Sequence, residues 1–101
     1  SITIPKEPPT GSTSSYYFYW IQVQNEQKQL SLARALVRNG IYTTFRYYPL
    51  HLIDYYKSDV RLENSEEIAK KTLNLPFHQN LTSGDLHRVV ATVENWAKSN
   101  N

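Results

Sequence analysis

The stretch Asn39-Gly40-Ile41-Tyr42-Thr43-Thr44-Phe45-Arg46-Tyr47-Tyr48-Pro49-Leu50-His51 decides the reading of this chain. Before it, residues 26 to 39 carry Leu32, Ala33, Leu36 and Val37 at i, i+1, i+4 and i+5, one stripe of a helix. Gly40 stands where a left-handed C′ residue closes such a helix. Residues 41 to 47 are rich in β-branched and aromatic side chains and read as a strand. Pro49 then sets a rigid turn, and a short helical piece is expected from His51 to Tyr56.

Working outward, residues 16 to 23 (Tyr-Tyr-Phe-Tyr-Trp-Ile-Gln-Val) form a second strand candidate. Alternation puts Tyr17, Tyr19, Ile21 and Val23 on one face and Tyr16, Phe18 and Trp20 on the other, so both faces are expected to touch protein. Downstream, Ser65 is expected to cap a helix through Ile68, Ala69 and Thr72 that ends near Leu75-Pro76, with a possible short strand at 73 to 75. Thr82 and Asp85 pair as a capping box for a last helix whose apolar positions are Leu86, Val89, Val90, Val93 and Trp96 or Ala97. Residues 1 to 15, with Pro5, Pro8, Pro9 and Gly11, read as a linker, leaving 16 to 101 as the domain. The order β-α-β-α-(β)-α predicts a small α/β (α+β) sandwich: a two- to three-stranded sheet with helices packed on one face. Its second apolar face needs a cover that these residues do not supply, a first sign of a domain belonging to something larger.

The 101 residues, 40% hydrophobic and 20% charged, suit one small domain. A net charge of +2 gives little pull toward nucleic acid or an anionic membrane. The absence of cysteine excludes disulfides, thiolate catalysis and thiolate zinc sites, and fits a reducing cytoplasm. No run reaches the roughly 18 apolar residues of a membrane span. His51, His78 and His87 lack metal-ligand spacing, so no metal site is expected. Asn80-Leu81-Thr82 matches a glycosylation triplet, but Thr82 is better used as a helix cap. Glu66, Glu67, Lys70 and Lys71 fit i, i+4 pairing on a solvated helix face.

All eight tyrosines lie between positions 16 and 56. Around Pro49 they sit beside a guanidinium, Arg46, and an imidazole, His51. Arginine grips phosphate through its fork, tyrosine offers a hydroxyl and a flat face, and histidine donates or accepts, so the cluster suits an anionic or sugar-like ligand. The residues alone favour the plainer reading, with Tyr47 and Tyr48 packed in the core and Arg46 and His51 solvated.

Gly40-Ile41, Thr43 and Tyr47-Tyr48-Pro49-Leu50-His51 resemble the "GI-x-T … Y-x-P-L-H" stretch of the DegT/DnrJ/EryC1/StrS aminotransferases. Leu73-Asn74-Leu75-Pro76-Phe77-His78 is similar to that family's "L-S-L-P-x-H" motif, with asparagine for the usual serine. Ser15-Tyr16-Tyr17 with Tyr19 resembles its "S-Y-Y" strand, and Ser65-Glu66-Glu67-Ile68-Ala69 its "A-E-x-I/L-A" helix, with serine for alanine. These signals fall in the family's order across positions 15 to 96.

The resemblance implies the C-terminal small domain of a pyridoxal-phosphate enzyme of aspartate-aminotransferase fold, which moves an amino group from glutamate or glutamine to a keto-sugar on a nucleoside diphosphate. It implies a large domain holding the cofactor and its Schiff-base lysine, and a site at a homodimer interface. None of Lys6, Lys28, Lys57, Lys70, Lys71 and Lys98 sits in the family's lysine motif, so this chain alone is expected neither to bind the cofactor nor to transaminate. Tyr47 and His51 match the family's substrate-side turn and, with the more variable Arg46, are the implied substrate-binding residues, Pro49 and Leu50 setting the turn. His78 matches a family histidine that is equally read as structural, and His87 is read as solvated. The ring position aminated and the pathway, surface polysaccharide or antibiotic, stay open. Two other classes compete: a standalone interaction or regulatory domain of the same fold, and a binder of single-stranded nucleic acid, for which the basic residues expected among the strand aromatics are missing.

Overall fold

In the computed structural model, which describes residues 2–45 and 47–100, Tyr19–Gln22 (β1) pairs antiparallel with Thr72–Leu75 (β2), Tyr19 opposite Leu75 and Gln22 opposite Thr72. Single bridges widen the sheet on both sides: Thr3 exchanges two 2.9 Å hydrogen bonds with Gln22, and Thr44 pairs with Asn74. β1 is shorter than its sequence suggests because the chain before it leaves the extended region: Tyr16 has φ 50°.

The strand expected at 41 to 47 is reduced to the one bridge at Thr44. The helix end claims the start of that segment. The helix Glu26–Arg38 (α1) closes with Gly40 N–H on Val37 O and Ile41 N–H on Leu36 O, both 2.9 Å, and Gly40 takes φ +75°. This is a Schellman ending, in which Ile41 folds back into the core beside Leu36. Toward the sheet, the Thr44–Asn74 pairing places Tyr42 opposite Pro76, which has no N–H to give and so stops the ladder.

Asn25 caps α1 by accepting from Lys28 N at 2.9 Å. Its inward stripe is Gln29, Leu32, Ala33 and Leu36, while Val37, expected inside, is 52% exposed. Gln29 reaches across to Ala69 O (2.9 Å) and Thr72 O (2.7 Å), satisfying its buried amide where a helix meets a strand. That helix, Glu63–Lys71 (α2), starts two residues before the expected cap at Ser65 and passes into β2 with no loop between them. Its last carbonyl, Lys71 O, already bonds Val23 N at 3.0 Å beside β1. The piece after Pro49 is two 3-10 turns, Leu50–Leu52 and Asp54–Tyr56.

The last helix, Ser83–Ser99 (α3), begins with the expected capping box of Thr82 and Asp85. It buries Val89 and Trp96, whose indole N–H bonds Ser31 Oγ at 3.0 Å; Leu86 and Val90 of the expected stripe are about half exposed. The core joins Ile21 and Leu73, opposite each other in the sheet, with Leu32, Leu36, Ile41, Val89 and Trp96. Burying Leu32, Leu36 and Leu73 completely stabilises the fold by about 1.5–3 kcal/mol each. The expected class thus holds, with two full strands among the described residues, inside the two to three expected. The opposite sheet face presents Trp20, Gln22, Thr72 and Asn74. There Gln22 donates to Thr72 Oγ1 (3.2 Å), while the Asn74 amide, 4% exposed, meets no protein partner at either end.

Candidate functional site

The turn after α1 is tied at both ends. Thr44 is fixed to β2, and five residues later Pro49 is buried, its carbonyl accepting Leu52 N–H at 3.0 Å. Between these anchors Phe45, Tyr47 and Tyr48 are thrown outward, each at least half exposed. Tyr47 is met edge-to-face by Phe18 at 6.4 Å, and Phe18 in turn by Tyr17 at 5.3 Å, so the approach to β1 and the turn build one aromatic surface. Between α1 and the turn lies a groove of about 430 Å³ whose walls include Gln29, Phe45, Tyr48, Pro49, Glu66 and Lys70.

Beneath the turn, charge is buried. His51 Nε2 lies 2.9 Å from Glu66 Oε2, both side chains being 8% exposed. Arg61 grips the same carboxylate, Nε to Oε2 at 3.1 Å with a second bond from Nη2 to Oε1, and Leu62 N–H donates at 2.9 Å. The Leu62 bond closes the otherwise uncapped start of α2. The bonds from Arg61, then from His51, outweigh the cost of burying the carboxylate and hold Glu66 down to about 2. Arg61 is raised in return, chiefly by its bond to Glu66.

The turn therefore separates the residues that the sequence had grouped. Tyr47 stands on the surface, His51 is enclosed against α2, and Arg46 lies outside the described residues. His78 is exposed and accepts Asn80 N–H at Nδ1 (3.2 Å), a local turn contact; His87 is exposed on α3. Sequence reasoning missed Glu66, which it placed on a solvated face with the lysines. Those lysines pair instead with Glu67, Lys70 and Lys71 each at 3.9 Å. The signal was the position of Glu66 on the helical stripe Leu62, Glu66, Ala69, where a carboxylate must find partners or stay out of the core.

No lysine in the chain is buried: Lys6, Lys57, Lys70 and Lys98 are exposed and Lys28 and Lys71 half-buried, Lys28 donating to Asn100. An enzyme's Schiff-base lysine works from an enclosed site beside the cofactor, and none of these side chains is enclosed. Among the described residues, no three His, Cys, Asp or Glu side chains gather as metal ligands, and no helix is long and apolar enough to cross a membrane.

The sequence model of the DegT/DnrJ/EryC1/StrS aminotransferase family matches residues 1–94. Over 88 residues the chain is 36% identical to a dTDP-4-dehydro-2,3,6-trideoxy-D-glucose 4-aminotransferase of Saccharopolyspora spinosa, a match covering 87% of this chain and 23% of that protein. Its fold superposes on the crystal structure of the aminotransferase TlmJ from Streptoalloteichus hindustanus with TM-score 0.91 and 40% identity, over 97% of this chain and 26% of that one. A DegT DnrJ EryC1 StrS aminotransferase from Brucella abortus follows at TM-score 0.79 and 28% identity, over 94% and 26%. The chain spans about a quarter of the length of each of these relatives.

Proposed function

The chain belongs to the DegT/DnrJ/EryC1/StrS aminotransferase family, and from that premise we propose that it is the C-terminal domain of a pyridoxal-phosphate enzyme acting on a nucleotide-linked keto-sugar. Glutamate or glutamine is the amino donor, and the enzyme works as a homodimer. The observation that carries this reading is the match itself: nearly all of this chain aligns with a quarter of a relative named for amination of a dTDP-linked sugar. The cysteine-free composition is in keeping with a cytoplasmic setting.

Pyridoxal phosphate supplies an electron sink for moving the amino group, and its holder in our reading is the remaining polypeptide, since no lysine here fits it. This domain contributes recognition. Tyr47, presented by the Thr44 and Pro49 anchors, offers a hydroxyl and a flat ring to the sugar or diphosphate, with Arg46 beside it in sequence. His51 serves the same wall from beneath.

The full-length enzyme, given pyridoxal phosphate, glutamate and a panel of nucleoside-diphosphate keto-sugars, should yield an amino-sugar nucleotide detectable by mass spectrometry. Tyr47→Ala should raise the sugar-nucleotide KM by about tenfold or more, the loss of a contact worth at least about 1.4 kcal/mol. Amination of no keto-sugar in the panel would sink the reading.

A further inference from the structure

Glu66 binds its own helix start, a neighbouring guanidinium and a histidine fifteen positions away at once. Capping α2 requires only the Leu62 contact, so the histidine contact calls for a separate account. An ionised carboxylate has no hydrogen to give and can only accept. In the 2.9 Å pair the hydrogen therefore resides on His51 Nε2. His51 lies in the first 3-10 turn, directly after buried Pro49 and four residues from Tyr47.

We propose that Glu66 is a positioning residue for the substrate wall: by holding His51 Nε2–H against the start of α2, it fixes the orientation of the imidazole and, with it, the course of the Tyr47–His51 turn. The proposal rests on the reading of Tyr47 as a substrate contact. Glu66 touches no substrate itself. Its buried carboxylate makes the turn and α2 move as one piece, so the wall is set before the ligand arrives, and pre-set geometry lowers the cost of binding.

The test uses the full-length enzyme. Glu66→Gln preserves the side chain's size and an oxygen for Leu62 N–H but removes the charge that fixes the His51 hydrogen. KM for the keto-sugar nucleotide should rise about tenfold while kcat stays within about threefold, the pattern of lost ground-state positioning. Glu67→Gln, on the exposed side of the same helix, should leave both at wild-type values. His51→Gln should reproduce the KM change, and the double variant should be no worse than His51→Gln alone, because both act through one contact.

Nitrogen-15 shifts of labelled histidine should show His51 carrying a hydrogen at Nε2 in the wild type, with the Nε2 shift altered in Glu66→Gln. An unchanged KM in Glu66→Gln, additive effects in the double variant, or a wild-type His51 unprotonated at Nε2 would each overturn the proposal. If Glu66→Gln fails to fold, the KM of His51→Gln and the wild-type Nε2 hydrogen decide it. A wild type that aminates no keto-sugar refutes the functional reading instead, and the Nε2 measurement still decides the role of Glu66.

Discussion

Glu66 carries its charge in a place where a carboxylate would ordinarily be neutralised. Its pKa is near 2 in the fold against 4.5 for a free side chain, so between those values the unfolded chain holds more protons than the folded one. Stability from this group is complete above about pH 4.5 and is lost as the pH falls toward 2. Asp85, lowered chiefly by its bonds to Thr82 at the start of α3, adds a dependence of the same sign. The melting temperature should therefore fall on acidification through this window, and less steeply in Glu66→Gln; equal slopes for the two proteins would refute the assignment. The Thr82–Asp85 pair was legible because its spacing is a local rule of helix starts. Glu66 was not, because its partners His51 and Arg61 belong to segments whose path depends on tertiary packing. The contrast between outward Tyr47 and enclosed His51 was hidden for the same reason: one motif, read as a line, says nothing of which side each residue takes.

Elements were easier to read than their boundaries. The Thr82–Asp85 capping box, the Gly40 helix end, the helical piece after Pro49 and the short strand near 73 to 75 follow from signals within a few residues of each, whereas the cap expected at Ser65 does not form. The expected strand at 41 to 47 shrank to one bridge because the end of α1 takes the Gly40 and Ile41 N–H groups while Pro76 has none to offer Tyr42, and composition reports neither constraint. Gly40 makes the helix end possible. At φ +75° any side chain is strained, and a Cβ there would stand 3.0 Å from the Arg88 guanidinium, which bonds Asn39 O. Gly40→Ala should cost about 1 kcal/mol or more, measured by urea unfolding, and a neutral result would mean that this turn relaxes freely.

At the scale of the whole molecule, the sheet has one face covered by α1 and α3 and another where the aromatic surface and the orphaned Asn74 amide lie. That imbalance was visible in the alternation of residues 16 to 23, where both faces are apolar, and it agrees with a chain spanning a quarter of its relatives. The chemistry of the family should be divided the same way. Mixed with pyridoxal phosphate, residues 1 to 101 should give no site-specific Schiff-base absorbance, whereas the full-length enzyme should; a chromophore mapped to one lysine of this domain would overturn that division.

The seamless passage from α2 into β2 also dictates where this domain can change length. One residue inserted between Lys71 and Thr72 would not lengthen a loop, for there is none; it would turn Leu73 out of the core or rotate Glu66 about 100° away from His51. Either outcome also breaks the Gln29 amide's hold on Ala69 and Thr72, which straddles that junction. Between Lys57 and Val60, where the chain is exposed and outside any helix or strand, an added residue meets no such ladder. Natural size variation among versions of this domain is therefore expected at the latter site and forbidden at the former, and a deep insertion scan would draw that map directly.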